Sequence, residues 1–266
     1  MEDQILKQVS PAYPWRNLLH FFPTIDSTND HIRTLARAGA PHGTVVIADH
    51  QTGGHGRRGR SFHSPEGVGV YLSILLRPKC RPTDLMHLTC AAAVAMCDAV
   101  ETAAGFRPGI KWTNDLVFEK RKLGGILTEL GFTPQGTLDY AIIGIGINCC
   151  QQLSDFPEDI REIAGSLSMV SGKAMDRARV AAAMMDALYD MSIDLLRRKE
   201  DLLNRYRCDC ITLHKDVVLV RGDQTRYGHA MDIDGDGALV VHFSDGSIEP
   251  VNSGEVSVRG MYGYVS

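Results

Sequence analysis

The sequence predicts an α+β protein, in which a mixed, mostly antiparallel sheet packs against helices and a small β-domain follows. Within residues 1–150, short apolar runs typical of strands are interrupted by only two helical segments. Residues 157–207 have helical periodicity, and the last 55 residues return to short strands separated by turn residues. We therefore expect a larger domain over residues 1–211 and a small barrel-like domain over 212–266.

Composition narrows the class of protein. With 44% hydrophobic and 23% charged residues, the 266-residue chain is typical of a globular protein. A net charge of −4 without a basic arm argues against a nucleic-acid partner. The seven cysteines fit neither a disulfide framework nor a zinc pattern, and neither a signal peptide nor a run of about 18 apolar residues is recognisable. We expect a cytoplasmic protein with reduced thiols and no membrane partner.

The first helix is predicted to begin at Ser27, where Asp30 completes a pattern resembling a capping box, and to end at Gly39. Before it, residues 1–20 are expected to be irregular and Leu18–Phe22 to form a strand. The small polar side chains of the first turn could merely cap the helix, or they could bind a polar ligand group. These side chains are Ser27, Thr28 and Asn29.

The next feature is a glycine-rich loop, residues 50–62, between predicted strands over Thr44–Ala48 and Val68–Leu76. Four glycines and three arginines lie between His50 and Ser61. Free backbone N–H groups and forked guanidinium donors suit a ligand with several anionic oxygens. A Gly-x-Gly-x-x-Gly pattern begins at Gly54, but a strand rather than a helix follows, which argues against a dinucleotide site. A solvated loop without a ligand is the alternative.

A buried helix over Asp84–Ala104 and a strand–turn–strand unit over Gly109–Phe118 are predicted next, with a return strand over Leu123–Leu130. In isolation, the Asn-Asp pair inside that unit could form only a turn, and Lys122 could be an ordinary solvated lysine. Paired glycines in the return strand, and alternating glycines in a strand over Tyr140–Asn148, indicate close approach of a backbone or a ligand.

The last third of the chain is predicted to form helices and then short strands. Helices are expected over Pro157–Leu167, Asp176–Lys199 and Glu200–Arg207. The acidic, glycine-containing run from Asp232 resembles the start of a calcium loop, but no flanking helices are present, so we interpret it as a hairpin turn. The predicted strands are Val217–Val220, Thr225–Asp232, Ala238–Phe243, Ser247–Pro250 and Val256–Arg259.

Five motifs in fixed order resemble those of biotin protein ligases, also called biotin–acetyl-CoA-carboxylase ligases. The motifs are Ser27-Thr28-Asn29, Gln51 with Gly54-His55-Gly56-Arg57-Arg58-Gly59-Arg60, Lys111-Trp112-Thr113-Asn114-Asp115, Arg121-Lys122-Leu123-Gly124-Gly125 and Gly144-Ile145-Gly146-Ile147-Asn148. The resemblance covers about residues 20–150. It implies a class II synthetase-like catalytic domain with an SH3-like C-terminal barrel. Because no helix-turn-helix segment precedes the motifs, the monofunctional type is expected.

The resemblance implies two half-reactions. Biotin and Mg-ATP would form biotinyl-5′-AMP, and a lysine of a biotin carboxyl carrier domain would then take the biotin. Mg would arrive with ATP, near Asn114 and Asp115, without a fixed protein site. A lipoate or octanoate ligase and a non-catalytic biotin-responsive regulator are the alternatives. Whether the protein is a monomer or a homodimer stays open.

The family resemblance also implies roles for individual residues. The expected catalytic residues are Lys122, Arg57 and Asp115. Biotin contacts are expected from Ser27, Thr28, Asn29, Gln51, Gly54, His55, Gly56, Arg57, Lys122, Gly124 and Gly125. Nucleotide contacts are expected from Arg57, Arg58, Arg60, Phe62, Trp112, Asn114, Lys122 and Asn148.

Three positions depart from the family pattern. His55 stands where arginine is usual, so one charge of the loop depends on pH. Phe62 replaces a usual tryptophan and Thr113 a usual proline. Aromatic character is kept at the first of these two, and turn geometry can be kept at the second.

Overall fold

The computed structural model describes residues 1–221, 224–252 and 255–258, the last four as backbone only. The predicted last strand therefore falls partly outside the described residues, because Arg259 is not among them. Residues 259–266 of the predicted C-terminal domain also lie outside the described residues.

A seven-stranded sheet forms the larger part of the described structure. Its strands are β1 (Leu19–Ile25), β2 (Val45–Gln51), β3 (Gly69–Leu76), β4 (Gly109–Lys111), β5 (Asp115–Phe118), β6 (Arg121–Phe132) and β7 (Leu138–Asn148). The spatial order is β1-β2-β3-β7-β6-β5-β4, in which β1 and β2 run parallel and the other neighbouring strands antiparallel. The predicted mixed, mostly antiparallel sheet is confirmed.

Helices cover both faces of this sheet. Alternate residues of each strand point to opposite faces, so the apolar side chains on each face pack against a helical layer. The helices are α1 (Glu2–Gln8), α2 (Thr28–Arg37), α3 (Leu88–Ala104), α4 (Leu167–Ser171), α5 (Arg177–Asp194) and α6 (Lys199–Asp209). On one face, Ile143 and Ile145 of β7 join the large core formed with α3 and α5. On the other face, Ile142 packs with Ile32 of α2.

The central helix α3 is buried nearly all round, as its alanine-rich sequence predicts, and it ends at Gly105 in the left-handed conformation (φ 80°). Together with a short 3-10 turn at Pro82–Leu85, it makes the helical segment Pro82–Ala104, which is long and apolar enough to span a membrane by length and composition alone. Because 72% of the apolar window is buried inside the protein, the segment has the character of a core helix.

In the part of the chain described after α6, five short strands form a second sheet. They are β8 (Asp216–Arg221), β9 (Gln224–Ile233), β10 (Leu239–Phe243), β11 (Ile248–Val251) and β12 (Glu255–Val258), in the order β11-β10-β9-β8-β12. The acidic run is a hairpin turn, in which Asp234 Oδ1 accepts hydrogen bonds from the N–H groups of Asp236 and Ala238. The tip of this hairpin touches the larger sheet, where Gly237 O accepts a hydrogen bond from Trp112 Nε1 at 3.1 Å.

Three sequence-based expectations were wrong. Residues 1–20 are not irregular, because α1 and a 3-10 turn at Arg16–Leu18 form there. The segment predicted as the helix Pro157–Leu167 is mostly turns, because its backbone instead hydrogen-bonds to Lys122, through Ile163 O and Gly165 N. The helix predicted over Asp176–Lys199 ends at Asp194, where a turn precedes α6.

Candidate active site

A cavity opens on the α2 side of the sheet, between the first turn of α2, the glycine-rich loop and the strands β5, β6 and β7. Most side chains singled out from the sequence line it. The lining residues are Ser27, Thr28, Asn29, Gln51, His55, Gly56, Arg57, Arg58, Arg60, Ser61, Phe62, Lys111, Trp112, Asn114, Asp115, Lys122, Gly125, Ile126, Leu127, Gly144, Ile145 and Gly146.

The glycine-rich loop folds back on itself over this cavity. A backbone bridge joins His55 to Ser61, and Gly56 N donates to Arg60 O at 2.7 Å. The turn between them, Arg57–Gly59, is a short 3-10 element in which Arg58 has a left-handed backbone (φ 59°). The fold of the loop thus places its three arginines along the cavity, with Arg57 half-buried and Arg58 and Arg60 exposed.

Arg57 reaches across the cavity to the strand–turn–strand unit. Its Nη1 donates to Oδ1 of Asn114 at 2.8 Å, and Asn114 Nδ2 donates to Ile126 O at 2.9 Å. The amide side chain is therefore fixed by a backbone carbonyl and in turn orients the guanidinium. The Asn-Asp pair does more than form a turn, because its first member links the loop to the sheet.

Lys122 and Asp115 form an ion pair inside the cavity, with Nζ 2.7 Å from Oδ1. They lie on neighbouring strands, and the irregular register between β5 and β6 brings them to the same face. Gly125 lies beside them, since a Cβ there would be 3.5 Å from both Cε and Nζ of Lys122. The ammonium group is partly desolvated, which strengthens its interaction with any anion that enters.

The backbone of Lys122 is also fixed. Its N–H donates to Ile163 O at 2.7 Å, and its carbonyl accepts from Gly165 N at 2.9 Å. Asn148 Nδ2 donates to Gly165 O at 2.9 Å and lies 3.4 Å from Lys122 O. Asn148 thus supports the segment that holds the lysine.

A buried polar wall lines the cavity where α2 meets β2. Gln51 Oε1 accepts from Thr28 N at 2.8 Å and from Thr28 Oγ1 at 3.0 Å. Ser73 Oγ lies 2.7 Å from Thr28 Oγ1 and 2.6 Å from Asn29 Oδ1. Ser27 caps α2 by accepting from Asp30 N at 3.4 Å, so capping and cavity lining occur together.

Glycines in β7 make room for this wall. A Cβ at Gly144 would overlap the side-chain amide of Asn29, and one at Gly146 would overlap the ring of Phe62. Both positions face the α2 side, because Ile143 and Ile145 face the opposite core. The alternating glycines therefore bring α2 and the loop close to the sheet.

Three of the expected site residues do not line the cavity. Gly54 packs against Phe62 O and Ser64, Gly124 faces the backbone of β7, and Asn148 lies behind Lys122. Their ligand contacts stay a prediction. Seven lining residues were not expected, although most lie inside or beside the quoted motifs. They are Ser61, Lys111, Ile126, Leu127, Gly144, Ile145 and Gly146.

The arrangement suits a reaction between two anions. Arg57, Arg58, Arg60, Lys111 and Lys122 supply positive charge along one cavity. Preorganised cations of this kind offset the repulsion between two anionic groups and stabilise charge that develops between them. The wall of hydroxyl and amide groups offers donors and acceptors to a polar, uncharged head group beside α2 and β2.

Comparison with known proteins identifies relatives of the chain. Residues 21–148 match the family described as "Biotin/lipoate A/B protein ligase family", and residues 212–259 match "Biotin protein ligase C terminal domain". The chain is 36% identical over 242 residues to "Bifunctional ligase/repressor BirA" of Bacillus spizizenii, covering 88% of this chain and 72% of that protein. It is 32% identical to "Biotin--[acetyl-CoA-carboxylase] ligase" of Mycobacterium tuberculosis, covering 96% of this chain and 93% of that protein.

Solved structures give the same result for the fold. The structure of biotin protein ligase from Aquifex aeolicus in complex with biotin and ATP superposes with a TM-score of 0.75 at 29% identity, covering 91% of this chain and 98% of that one. The structure of a mutant of the same enzyme in complex with biotin gives a TM-score of 0.76 at 29% identity, with 91% and 97% covered.

Proposed function

Because the chain belongs to the biotin protein ligase family, whose members are ATP-dependent ligases, we propose that its cavity carries out both steps of biotin attachment to a carrier protein. The resemblance and the fold class inferred from the sequence are confirmed by the family matches and by the superposition. In the first step, a biotin carboxylate oxygen bonds to the α-phosphorus of ATP and pyrophosphate leaves. In the second, the amine of a carrier lysine bonds to the acyl carbon, AMP leaves and the amine loses a proton.

The observation that carries this proposal is the convergence of cations and a polar wall in one cavity. Lys122 on β6 and Arg57 in the loop are each held by a side-chain partner, whereas Thr28 is bonded to Gln51 of β2, which β3 and β7 separate from β6 in the sheet. A molecule with an anionic end and an uncharged polar end fits both halves. Biotin has this chemistry, since its carboxylate and its ureido head group lie at opposite ends.

Lys122 is assigned to the reacting centre. Its ammonium group carries three donors, so it can bond to the carboxylate and to the α-phosphate at the same time. When these anions enter, Nζ exchanges its contact with Asp115 Oδ1 for contacts with their oxygens. The charge then stands where the new bond forms, and this lowers the barrier by differential stabilisation of the transition state. Asp115, released from this contact, can orient the incoming carrier lysine and accept its proton.

Arg57 is assigned to holding the adenylate. Its contact with Asn114 places it above the cavity, where a guanidinium can donate two parallel hydrogen bonds to phosphate oxygens. Covering the mixed anhydride also excludes water, which would otherwise hydrolyse it. Arg58 and Arg60 add cations for the pyrophosphate, and Phe62 and Trp112 are aromatic surfaces for the nucleotide.

The polar wall favours biotin over lipoate. A buried ureido group needs both donors and acceptors, which Thr28, Asn29 and Gln51 carry. Lipoate lacks such groups and would gain no hydrogen bonds from this wall, whose side chains would stay bonded only to one another. The alternative of a lipoate or octanoate ligase is therefore the weaker one.

Mg²⁺ would enter with the triphosphate. Among the described residues, no group of three or more histidine, cysteine or acidic side chains could hold a metal ion. At the cavity, Asn114 Oδ1 is engaged by Arg57 and Asp115 Oδ1 by Lys122. The phosphate oxygens would thus supply most ligands, and Asp115 is the carboxylate among the described residues that line the cavity.

A biotin carboxyl carrier domain is the proposed partner, and the small β-domain over 212–266 is proposed as a separate unit. The match of residues 212–259 to a C-terminal domain family supports that boundary. Contacts such as Trp112 Nε1 to Gly237 O hold this unit beside the cavity, where it could meet the nucleotide or the carrier. Monomeric and homodimeric forms are both compatible with this proposal.

Pyrophosphate release tests the proposed function. Purified protein is incubated with ATP, Mg²⁺ and either biotin, lipoate or no acid, and a carrier domain is added to a parallel reaction. Biotin-dependent release, with label transferred to the carrier lysine, is the expected outcome. Release with lipoate but not biotin would favour the alternative ligase, and tight biotin binding without pyrophosphate would favour a non-catalytic regulator.

A further inference from the structure

The glycine-rich loop is tied to α2 by a histidine–aspartate pair. His55 Nε2 lies 2.7 Å from Oδ2 of Asp30 in the first turn of α2. His55 is also the residue that bridges to Ser61 and so closes the loop on itself. A contact made by His55 therefore restrains the whole loop above the cavity.

Asp30 is one end of a network of charged groups that reaches the cavity wall. Arg33 pairs with Asp30 and donates to both carboxylate oxygens of Glu129, at 2.7 and 2.9 Å. Glu129 Oε2 accepts from Asn29 Nδ2 at 2.8 Å. The loop and the polar wall are consequently linked through one continuous set of hydrogen bonds.

Charged groups of α2 and β6 lie on the side of the loop where His55 makes its contact. Two carboxylates, Asp30 on α2 and Glu129 on β6, stand against one guanidinium, that of Arg33. Partial burial raises the pKa of the Asp30 carboxyl, but the hydrogen bonds from His55 and Arg33 outweigh this and lower its pKa overall. Asp30 is therefore a carboxylate at neutral pH.

Within the loop itself, Arg57 and Arg58 follow His55, and both keep their charge at any physiological pH. Histidine is the side chain whose ordinary charge change falls between about pH 5 and 8. His55 is the residue of this type in the set, since the others named here are carboxylates and guanidinium groups.

We propose that Asp30 is a positioning residue of the enzyme, and that protonated His55 fastens the glycine-rich loop over the cavity through it. Closure of the loop weakens as pH rises and the imidazole loses its charge. The consequence for catalysis, namely faster escape or hydrolysis of the adenylate at higher pH, rests on the proposed function. The fastening itself concerns the free protein.

The size of the effect follows from the exposure of the pair. The side chains of His55 and Asp30 are 50% and 34% exposed. Solvent and salt weaken ion pairs at such positions, so the charge should change the ratio of closed to open loop by about two- to fivefold.

Limited trypsin digestion tests the fastening without any ligand, because Arg57, Arg58 and Arg60 are cleavage sites in the loop. The rate of cleavage there is measured by mass spectrometry at about pH 6 and about pH 8.5, on either side of the histidine range. Each rate is divided by that of a small peptide substrate at the same pH. The variants are Asp30→Asn and His55→Gln, and the second leaves the Arg33 contacts in place.

The wild-type loop should be cut about two- to fivefold more slowly than either variant at the lower pH, and at nearly the same rate at the higher one. His229→Gln is the matched control, because His229 forms a similar exposed pair with Asp216 at 3.0 Å in the small β-domain. It should follow the wild type at both pH values. Equal protection of wild type and Asp30→Asn at the lower pH would overturn the proposal.

Retention of the adenylate tests the consequence. Its half-life on the enzyme should shorten with pH more steeply in the wild type than in His55→Arg, whose charge does not titrate. Equal pH dependence in both proteins would refute the role of His55. If no adenylate forms at all, the proposed function fails, while the digestion result still decides whether the loop is fastened.

Discussion

Removing the ammonium group of Lys122 is the most informative perturbation of the cavity. Lys122→Ala deletes the cation that lies 2.7 Å from Asp115 and leaves the carboxylate without its partner. The reacting carboxylate and α-phosphate would then meet beside a third anion. We expect the first half-reaction to suffer strongly while the fold is kept.

The magnitude can be worked from the surroundings of the pair. Loss of one preorganised donor to a developing charge costs about 10²–10³-fold in rate, or about 2.7–4 kcal/mol. The unpaired Asp115 carboxylate, 21% exposed, adds repulsion and moves the expected loss toward the upper end of that range. The folded state loses at most about 1 kcal/mol, because partly exposed ion pairs contribute little to stability.

The assay is biotin-dependent pyrophosphate release under single-turnover conditions, with urea unfolding measured in parallel. Lys199→Ala is the matched control. Lys199 forms an ion pair with Asp236 at 2.8 Å and is about as exposed as Lys122, but it does not line the cavity. The double variant Lys122→Ala/Asp115→Ala should be faster in the first step than Lys122→Ala alone. A Lys122→Ala enzyme with wild-type adenylation would refute the assigned role.

Three further outcomes follow from the packing around the cavity. Gly144→Ala would place a Cβ on the amide of Asn29 and should weaken biotin binding about tenfold or more in calorimetry, given a cost of about 1–3 kcal/mol for overpacking. Gln51→Leu leaves the N–H of Thr28 without its acceptor, which costs about 1–3 kcal/mol, and should raise the biotin KM far more than that of ATP. Trp112→Phe removes the hydrogen bond to the hairpin of the small β-domain and should lower the free energy of unfolding by about 0.5–1.5 kcal/mol, measured in urea.

Most strands and the long helices were predictable from the sequence. Each buries apolar side chains at a regular spacing, and this spacing is visible in the sequence itself. Thr28 begins a helix after Ser27, and β7 runs through the alternating glycines, as expected. Periodicity failed where tertiary hydrogen bonds replace local ones. The segment before Gly165 has helical character in sequence, yet its backbone pairs with that of Lys122.

The candidate site was predictable as a set of motifs, but its geometry was not. Nothing in the spacing of Arg57 and Asn114 reveals that they hydrogen-bond, since the contact depends on how the loop folds back. Ser73 and Glu129 gave no signal, because an isolated polar residue in an apolar strand has many explanations. Their roles became apparent only where strands and α2 meet.

A structure with a non-hydrolysable biotinyl-adenylate analogue tests the central claim most directly. The account predicts the ureido ring against Thr28 and Gln51, with Lys122 Nζ and the Arg57 guanidinium within hydrogen-bond distance of the linkage between acyl group and phosphate. The glycine-rich loop should lie closed over that linkage. An analogue bound elsewhere, or bound here with Lys122 still paired only to Asp115, would contradict it.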